Sequence, residues 1–153
     1  MPNVLSQTAE YALRAAAWLA AESPDAPVRT RDLSRGTGIP EPYLAKILRR
    51  LVLAGILESR KGQGGGFALA RPPERIRFDE VLEAVDAAPR VDRCAFGWGA
   101  CDAKHPCPLH DSWGPISKAF SEWAAKTTLG DTSRAIHGAA RRRNGPKGHE
   151  RKR

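Results

Sequence analysis

The sequence predicts a mostly α-helical protein with one small β-hairpin, and three observations support this fold class. Apolar residues recur at helical spacing in segments that Gly and Pro separate. Near the middle of the chain, two short strand-like runs flank the glycine-rich stretch "KGQGGG". After a cysteine-rich stretch, apolar residues recur at intervals of 4, 3, 4 and 3, which is typical of a long helix that packs along another helix.

The first two predicted helices lie within residues 6–37. Ser6 can cap the first helix, because its hydroxyl can accept a hydrogen bond from a free N–H of the first turn. The buried face of this helix consists of small residues: Ala9, Leu13, Ala16, Ala17 and Ala20. "SPDAP" ends the helix. A short second helix follows, with Thr30 as its cap and Leu33 pointing inward, and "RGTGIP" ends it with two glycines and a proline.

The third predicted helix begins at Pro42, whose missing N–H is tolerated at the first helical position. Gly55 is placed to end it, since glycine readily adopts positive φ. The buried stripe between them follows the spacing i, i+3, i+4 and i+7: Leu44, Ile47, Leu48 and Leu51. "ILESR" and "FALAR" then predict two strands, and the glycines of "KGQGGG" allow the tight turn of a hairpin.

Two further helices are predicted after the hairpin. "RFDEVLEAVDA" resumes helical spacing, with Asp79 as its expected cap. The long helix begins near Leu109, and Gly114-Pro115 inside it indicates a later start or a kink. The apolar face of this helix contains three aromatic side chains: Leu109, Trp113, Ile116, Phe120 and Trp123. This face is predicted to pack along a helix of a partner chain or, alternatively, in the core of its own chain.

The net charge of +8 is unevenly distributed along the chain. Residues 138–153 hold seven Lys or Arg and one Glu, a net +6, so residues 1–137 carry only +2. We expect this tail to be a basic disordered segment that either contacts DNA phosphates or only aids solubility. The N-terminus lacks the pattern of a signal peptide or a membrane span, which predicts a cytoplasmic protein with no membrane partner.

Helix, short helix, glycine turn, basic helix and glycine-rich hairpin, in this order, predict a winged helix-turn-helix domain. A helix in the DNA major groove requires long donors on one face and aliphatic anchors on the other. The third helix has this arrangement, with donors opposite its apolar stripe: Tyr43, Lys46, Arg49 and Arg50. Arg60 and Lys61 at the hairpin tip could reach a phosphate or the minor groove. For any single one of these residues, a solvated surface position is the alternative.

The stretch "CAFGWGACDAKHPCPLHD" contains every cysteine of the chain. Its spacing, C-x6-C-x5-C-x2-H from Cys94 through Cys101 and Cys107 to His110, differs from the paired C-x2-C of most structural zinc sites. Three thiolates on a glycine-containing loop can wrap a compact cluster of several atoms. A zinc ion or a metal-free thiol switch stays open as an alternative. The sequence contains no nucleotide-binding loop, catalytic triad context or paired acid site, so an enzyme is not predicted.

The sequence resembles the Rrf-two family of winged-helix transcriptional regulators over residues 3–130. The matching pieces are "SQTAEYALRA", "IPEPYLAKILRRLVLAGILES", "RKGQGGGFALARP", "VLEAVD" and "CPLHDSW". The resemblance implies a homodimer that binds a double-stranded DNA operator, with the long helix at the dimer interface. We therefore divide the chain into a DNA-binding domain (1–88), a cluster-binding loop (89–110), a dimerisation helix region (109–137) and the basic tail (138–153).

In the cluster-binding members of this family three cysteines hold an iron–sulfur cluster, and Cys94, Cys101 and Cys107 match their positions in order. His110 matches the histidine ligand of the cluster-assembly members, which favours a [2Fe–2S] cluster. Glu10 lies where nitric-oxide-sensing members have a ligating Asp from the partner subunit, so it is the alternative fourth ligand and keeps a [4Fe–4S] cluster open. The predicted function is a dimeric regulator that senses redox, nitric oxide or iron–sulfur status. The alternative is a metal-free or zinc-bound winged-helix repressor.

Overall fold

A computed structural model of the chain describes residues 4–23, 25–88, 90–133 and 135. Three helices come first, α1 (Gln7–Glu22), α2 (Thr30–Thr37) and α3 (Glu41–Leu53), followed by the antiparallel strands β1 (Leu57–Arg60) and β2 (Gly66–Leu69). A short 3-10 turn (Pro73–Arg75), α4 (Phe78–Ala84) and α5 (His110–Lys126) complete the order. The predicted fold class, mostly helical with one small hairpin, is confirmed.

The apolar core lies where the first four helices and the hairpin meet. All five residues of the predicted α1 face are buried, and because four of them are alanines, the neighbouring helices can approach closely. The predicted stripe of α3 and Leu33 of α2 are buried as well. Each fully buried leucine or isoleucine stabilises the fold by about 1.5–3 kcal/mol. Within the described residues, this core contains none from the segment 90–119.

The starts of α1, α2 and α3 agree with the sequence to within a residue. The predicted cap of α1 is confirmed, since the Ser6 Oγ accepts a hydrogen bond from the backbone N–H of Ala9 at 3.2 Å. Thr30 is the first residue of α2 rather than its cap, and Pro42 is the second residue of α3 rather than its first. Proline is still accommodated there, because the N–H groups of the first turn have no partner within a helix.

The expected cap of α4, Asp79, is wrong. The helix begins at Phe78, and the carboxylate of Glu80 accepts a hydrogen bond from the backbone N–H of Arg77 at 2.9 Å. Partial burial alone would raise the pKa of Glu80. The Arg77 N–H and the guanidinium of Arg71, 2.9 Å away, outweigh burial and hold the pKa of Glu80 below its usual value.

This lowered pKa predicts a pH-dependent contribution of Glu80 to stability. A carboxyl whose pKa is lower in the folded chain stabilises the fold above its unfolded pKa, and the contribution is lost as the pH falls through the folded pKa. Glu80→Gln should therefore lower the free energy of unfolding by roughly 0.5–1.5 kcal/mol near neutral pH and match the wild type at about pH 3. Urea unfolding at both pH values measures this. Glu83→Gln on the same helix is the control, and a pH-independent loss in Glu80→Gln would contradict the prediction.

The hairpin is joined by a third backbone segment. In the antiparallel pair, Leu57 faces Leu69 and Arg60 faces Gly66. Val28, which precedes α2, pairs with Phe67 of β2 through two backbone hydrogen bonds of 2.9 and 2.8 Å. Gly66 adopts φ 146°, and a Cβ at this position would collide with the Val28 carbonyl. Only glycine fits where these two backbones approach.

The long helix α5 starts one residue after Leu109 and runs through Gly114-Pro115 without interruption. The predicted start near Leu109 is therefore confirmed, and the later start, one of the two consequences expected from Gly114-Pro115, is wrong. Pro115 lies in the second helical turn, and its missing N–H removes a single hydrogen bond near the helix start. The helix that follows the cysteines is consequently attached to them directly.

The C-terminal end of α5 is anchored to the rest of the domain. Ala124 is fully buried, and so is Leu129 in the turn that follows the helix. The backbone N–H of Leu129 donates to the Ile76 carbonyl at 2.9 Å, and Thr128 pairs with Arg77. α5 is thus held at its far end by the segment that leads into α4.

The predicted apolar face of α5 is largely uncovered in the single chain. Ile116 is 60% exposed, and Phe120 is half-buried with its ring 5.4 Å from that of Trp123. The other exposed members of the face are Leu109, Trp113 and Trp123. This arrangement does not support the alternative that the face packs in the core of its own chain.

No helix within the described residues is both long and apolar enough to cross a membrane. The predicted basic tail, residues 138–153, lies outside the described residues, as does part of the end of the predicted dimerisation region.

Candidate functional site

The predicted DNA-reading side chains lie together on the outer face of α3. Because the apolar stripe faces the core, the opposite face is solvent-exposed, and 58% of the Tyr43 residue surface is accessible. The other predicted donors on this face are also exposed: Lys46, Arg49 and Arg50. A row of long donors with clear access is the geometry that a major-groove helix needs.

The start of α1 extends this exposed face of α3, and this contribution of α1 was not predicted from the sequence. A cleft of about 280 Å³ is lined by side chains of α1 and α3: Gln7, Thr8, Tyr11, Tyr43, Lys46, Ile47 and Arg50. Within it, the Gln7 amide donates to the Tyr11 hydroxyl at 3.2 Å. Polar groups of α1 thus lie beside α3, the predicted DNA-reading helix (called the reading helix below), where they can contact the DNA backbone.

Arg50 differs from the other donors of α3 because it has an acidic partner. Its guanidinium lies 3.2 Å from the carboxylate of Asp86, the residue after Val85 at the end of α4. Asp86 has φ 56° and is the only non-glycine residue with positive φ in the described part of the chain. Local sequence patterns do not indicate this pair, since the two residues are 36 positions apart.

At the hairpin tip, Arg60 and Lys61 are both exposed, as a wing contact to DNA requires. Arg60 forms a 2.6 Å ion pair with Glu58 on the same strand. This pair restrains the Arg60 guanidinium, and Lys61 follows directly after the end of β1.

Local backbone bonds bring the first two cysteines side by side. The N–H of Cys94 donates to the Gly99 carbonyl at 3.1 Å, and the N–H of Cys101 donates to the Asp92 carbonyl at 2.6 Å. Gly97 and Gly99 adopt positive φ, which lets the chain reverse direction within seven residues. The wide C-x6-C spacing therefore corresponds to a small turn whose ends meet.

All four side chains predicted as ligands line one cavity of about 100 Å³. The His110 Nδ1 lies 3.2 Å from the Cys101 Sγ. Four more residues complete the wall: Trp98, Ala100, Asp102 and His105. Glu10 lies in the first turn of α1 and does not line this cavity in the single chain.

The electrostatics of the cavity distinguish its cysteines. The N–H of Phe96, helped by the Cys107 thiol and two further backbone N–H groups, lowers the pKa of Cys94 below its ordinary value. The N–H of Leu109 favours the Cys107 thiolate, but partial desolvation, the hydrogen bond with Cys94 and the charges of Cys94 and Cys101 together outweigh it and raise the pKa of Cys107. The backbone thus favours one thiolate in advance, and a positive centre would be needed to hold three.

The donor set is chemically suited to an iron–sulfur cluster. Within the ranges that the structure describes, no three His, Cys, Asp or Glu side chains are arranged to hold one metal ion. The four ligand candidates instead surround a shared space, and thiolates with an imidazole are donors that iron–sulfur clusters accept. Three cysteines with one histidine are also the donors of some structural zinc sites, so the zinc alternative stays open.

Two features of the cavity wall were not predicted from the sequence. His105 lies 2.8 Å from the Asp102 carboxylate, so it is held as an ion-paired or hydrogen-bonded wall residue rather than an isolated loop side chain. Trp98 stacks on Phe96 with ring centroids 4.6 Å apart, although both rings are exposed. Phe96 and Trp98, two aromatic residues separated by one glycine, were the sequence pattern from which this stacking could have been predicted.

Comparison with known proteins identifies the family of the chain. The family model described as "Rrf2: Iron-dependent Transcriptional regulator" matches residues 5–135. The HTH-type transcriptional regulator IscR of Klebsiella pneumoniae (strain 342) is 32% identical over 127 residues, covering 83% of this chain and 77% of that protein. IscR of Escherichia coli O9:H4 (strain HS) is also 32% identical over 127 residues, covering 83% and 78%.

Two solved structures have the same fold. CymR, the global cysteine regulator of B. subtilis, superposes with a TM-score of 0.72 at 21% identity, covering 88% of this chain and 98% of CymR. IscR of T. potens superposes with a TM-score of 0.69 at 22% identity, covering 97% and 96%. The family match and the curated relatives go further than fold. The chain belongs to the Rrf2 (Rrf-two) family of DNA-binding transcriptional regulators and is not an enzyme.

Proposed function

We propose that this regulator is a cytoplasmic homodimer that binds a double-stranded DNA operator and holds an iron–sulfur cluster through Cys94, Cys101, Cys107 and His110. One observation carries the proposal: these four side chains, the predicted ligands, line the same cavity. Because His110 supplies an imidazole at that cavity, a [2Fe–2S] cluster is favoured over a [4Fe–4S] cluster.

The placement of the loop supports a sensing role. When bound, the cluster would supply redox reactivity at the cavity. The chain's own residues do the rest: the loop follows α4 on one side and leads directly into α5 on the other. Four ligands held at one point would restrain both attachments, and their release would alter how two reading helices are spaced in a dimer.

The exposed face of α5 supports the dimer. Large apolar side chains such as Ile116 and Trp123 seldom remain exposed together on a monomer. A second copy of α5 would cover them through the 4, 3, 4, 3 spacing of the face. One reading helix per half-site would then lie on each side of the dimer axis.

Anaerobic purification tests the cluster directly. We expect a brown protein with equal amounts of iron and acid-labile sulfide, about two of each per chain for [2Fe–2S]. Native mass spectrometry of the same sample gives the mass of the cluster and of the dimer. A colourless protein with full operator binding would support a metal-free repressor instead, and bound zinc without sulfide would support a zinc-bound one.

The fourth ligand can be assigned by substitution. His110→Ala is expected to shorten the lifetime of the cluster more than Glu10→Ala, because His110 lines the cavity and Glu10 does not. The decay of the visible absorbance in air, measured from anaerobically loaded samples, gives both lifetimes. His105→Ala is the control for removing a histidine from the same wall. Faster decay in Glu10→Ala would assign the ligand to the first helix of the partner subunit.

Operator reading can be separated from phosphate binding. Alanine at Tyr43, Lys46 or Arg49 is expected to weaken operator binding by about 1–3 kcal/mol for each residue that contacts a base edge. The operator is obtained by binding-site selection, and fluorescence anisotropy compares it with random DNA. Glu41→Gln on the same helix is a control that removes no donor. Equal losses on both DNAs would reduce the substituted residue to a phosphate contact.

A further inference from the structure

The Arg50–Asp86 ion pair connects the reading helix to the segment that leads into the cysteine loop. Arg50 lies on the outer face of α3, where it lines the cleft beside Tyr43 and Lys46. Its guanidinium nonetheless lies 3.2 Å from the carboxylate of Asp86, which follows α4. A guanidinium paired in this way offers less positive charge and fewer free donors to a phosphate.

The position of Asp86 is set by the end of α4. Its N–H donates to the Glu83 carbonyl at 3.1 Å, and the next N–H, of Ala87, donates to the Leu82 carbonyl at 2.8 Å. Between these bonds Asp86 adopts φ 56°, a conformation that costs free energy for any residue with a side chain but less for Asp and Asn. The strained backbone aims the carboxylate at α3.

The same residue also lies next to the cysteine loop. Asp86 lines a cleft of about 520 Å³ with Val91 and Asp92, which precede Cys94, and with Ser121 of α5. The Asp92 carbonyl in turn accepts the hydrogen bond from the N–H of Cys101. The loop is therefore connected to Asp86 by the chain between residues 86 and 92 and by the Cys101–Asp92 backbone hydrogen bond. A change in the order of the loop can alter the position of Asp86 through this connection.

The pair is weak enough to be displaced. Of the Asp86 side chain 84% is exposed, and of the Arg50 side chain 48%, so water screens the interaction. A DNA phosphate can compete for the guanidinium under these conditions, whereas a buried pair would hold it permanently. Small shifts of Asp86 are then sufficient to change which partner Arg50 takes.

We propose that Asp86 is a positioning residue that withholds the Arg50 guanidinium from DNA phosphates, and that the cysteine loop sets how firmly it does so. The first half concerns the DNA-binding face alone. The control of this ion pair by the cysteine loop rests on the proposed function, because it links the proposed cluster site to the reading helix. Arg50 is on this view the residue of α3 whose DNA contact is regulated.

The test uses Asp86→Asn in the full-length protein. Asparagine tolerates the same positive φ, so the substitution removes the charge and leaves the turn intact. We expect the plot of log affinity against log salt, on random DNA and with cluster-free protein, to become steeper by about 0.9 per chain as Arg50 gains a phosphate. Glu83→Gln, which removes another carboxylate from the same cleft, should leave the slope unchanged.

Two outcomes would overturn the role of Asp86. An unchanged slope in Asp86→Asn would mean that Arg50 is not withheld, and equal steepening in Glu83→Gln would mean that only total charge matters. Arg50→Gln provides the internal check, because Asp86→Asn should have no further effect on the slope in that background. Thermal unfolding of each variant confirms that the fold is retained.

The link to the loop has its own readout. In the wild type, the ratio of operator affinities between cluster-loaded and cluster-free protein measures the coupling. Asp86→Asn is expected to reduce that ratio by at least about threefold, while Glu83→Gln preserves it. A full ratio in Asp86→Asn would overturn the link to the loop. Absence of iron from the wild type would refute the proposed function, and the salt slope would still decide the role of Asp86.

Discussion

Alanine at Cys94, Cys101 or Cys107 is expected to eliminate stable cluster binding while the fold survives. The chain has no fourth cysteine that could replace a lost thiolate. All three line the same cavity, so each removal opens one side of the proposed cluster to solvent. The apolar core has no member between residues 90 and 119 of the described chain, so the winged domain keeps its packing.

Iron and sulfide content after anaerobic purification measures the loss of the cluster. Thermal unfolding of cluster-free samples measures whether the fold survives. Ser112→Ala, close to the cavity but outside its wall, is the matched control and should retain full iron. Full iron and sulfide in any one cysteine variant would show that the ligand assignment is wrong. A large loss of thermal stability would show that the loop contributes to folding more than its contacts indicate.

The second large effect is expected at the wing. Gly66→Ala should lower the free energy of unfolding by roughly 1–3 kcal/mol, because alanine at φ 146° is strained. In addition, its Cβ would collide with the Val28 carbonyl, and the two backbone hydrogen bonds between Val28 and Phe67 would have to lengthen. DNA binding should weaken together with stability, since the wing carries Arg60 and Lys61.

Gly64→Ala separates the two causes. Gly64 has φ 75°, but no atom lies within 4 Å of the position its Cβ would take. It should lose only the strain of the positive φ, about 1 kcal/mol. Denaturant unfolding of both variants measures the difference, and equal losses would mean that the approach of Val28 to β2 contributes nothing.

Most of the fold could be predicted because it is encoded in local patterns. The i, i+3, i+4, i+7 stripe of α3 and the alanine-rich face of α1 are both buried as predicted. The errors lie at helix ends, where several neighbouring residues can serve. Glu80 rather than Asp79 accepts a hydrogen bond from the N–H of Arg77, the residue before α4, because its longer side chain reaches back three positions. Pro115 was misjudged because one lost hydrogen bond is tolerated near a helix start.

The candidate site divides in the same way. The cysteines and His110 are close in sequence, so their spacing and the family resemblance were sufficient to propose them together. The Arg50–Asp86 pair and the polar residues of α1 beside α3 depend on how separate helices pack. Nothing in the local sequence of Asp86 distinguishes it from a solvated helix-end carboxylate. Such contacts require the tertiary structure.

The separation between the apolar core and the segment 90–119 has an evolutionary consequence. Substitutions, insertions or a new ligand spacing in the cysteine-bearing part of this segment need little compensating change in the core, because no member of the apolar core comes from that part within the described residues. Under the proposed function, a lineage could therefore exchange the chemical signal to which it responds while inheriting the same DNA-binding domain. Selection can then act on the two parts of this chain separately wherever the proposed Arg50–Asp86 link is kept, and related regulators can diverge in what they detect before they diverge in what they bind.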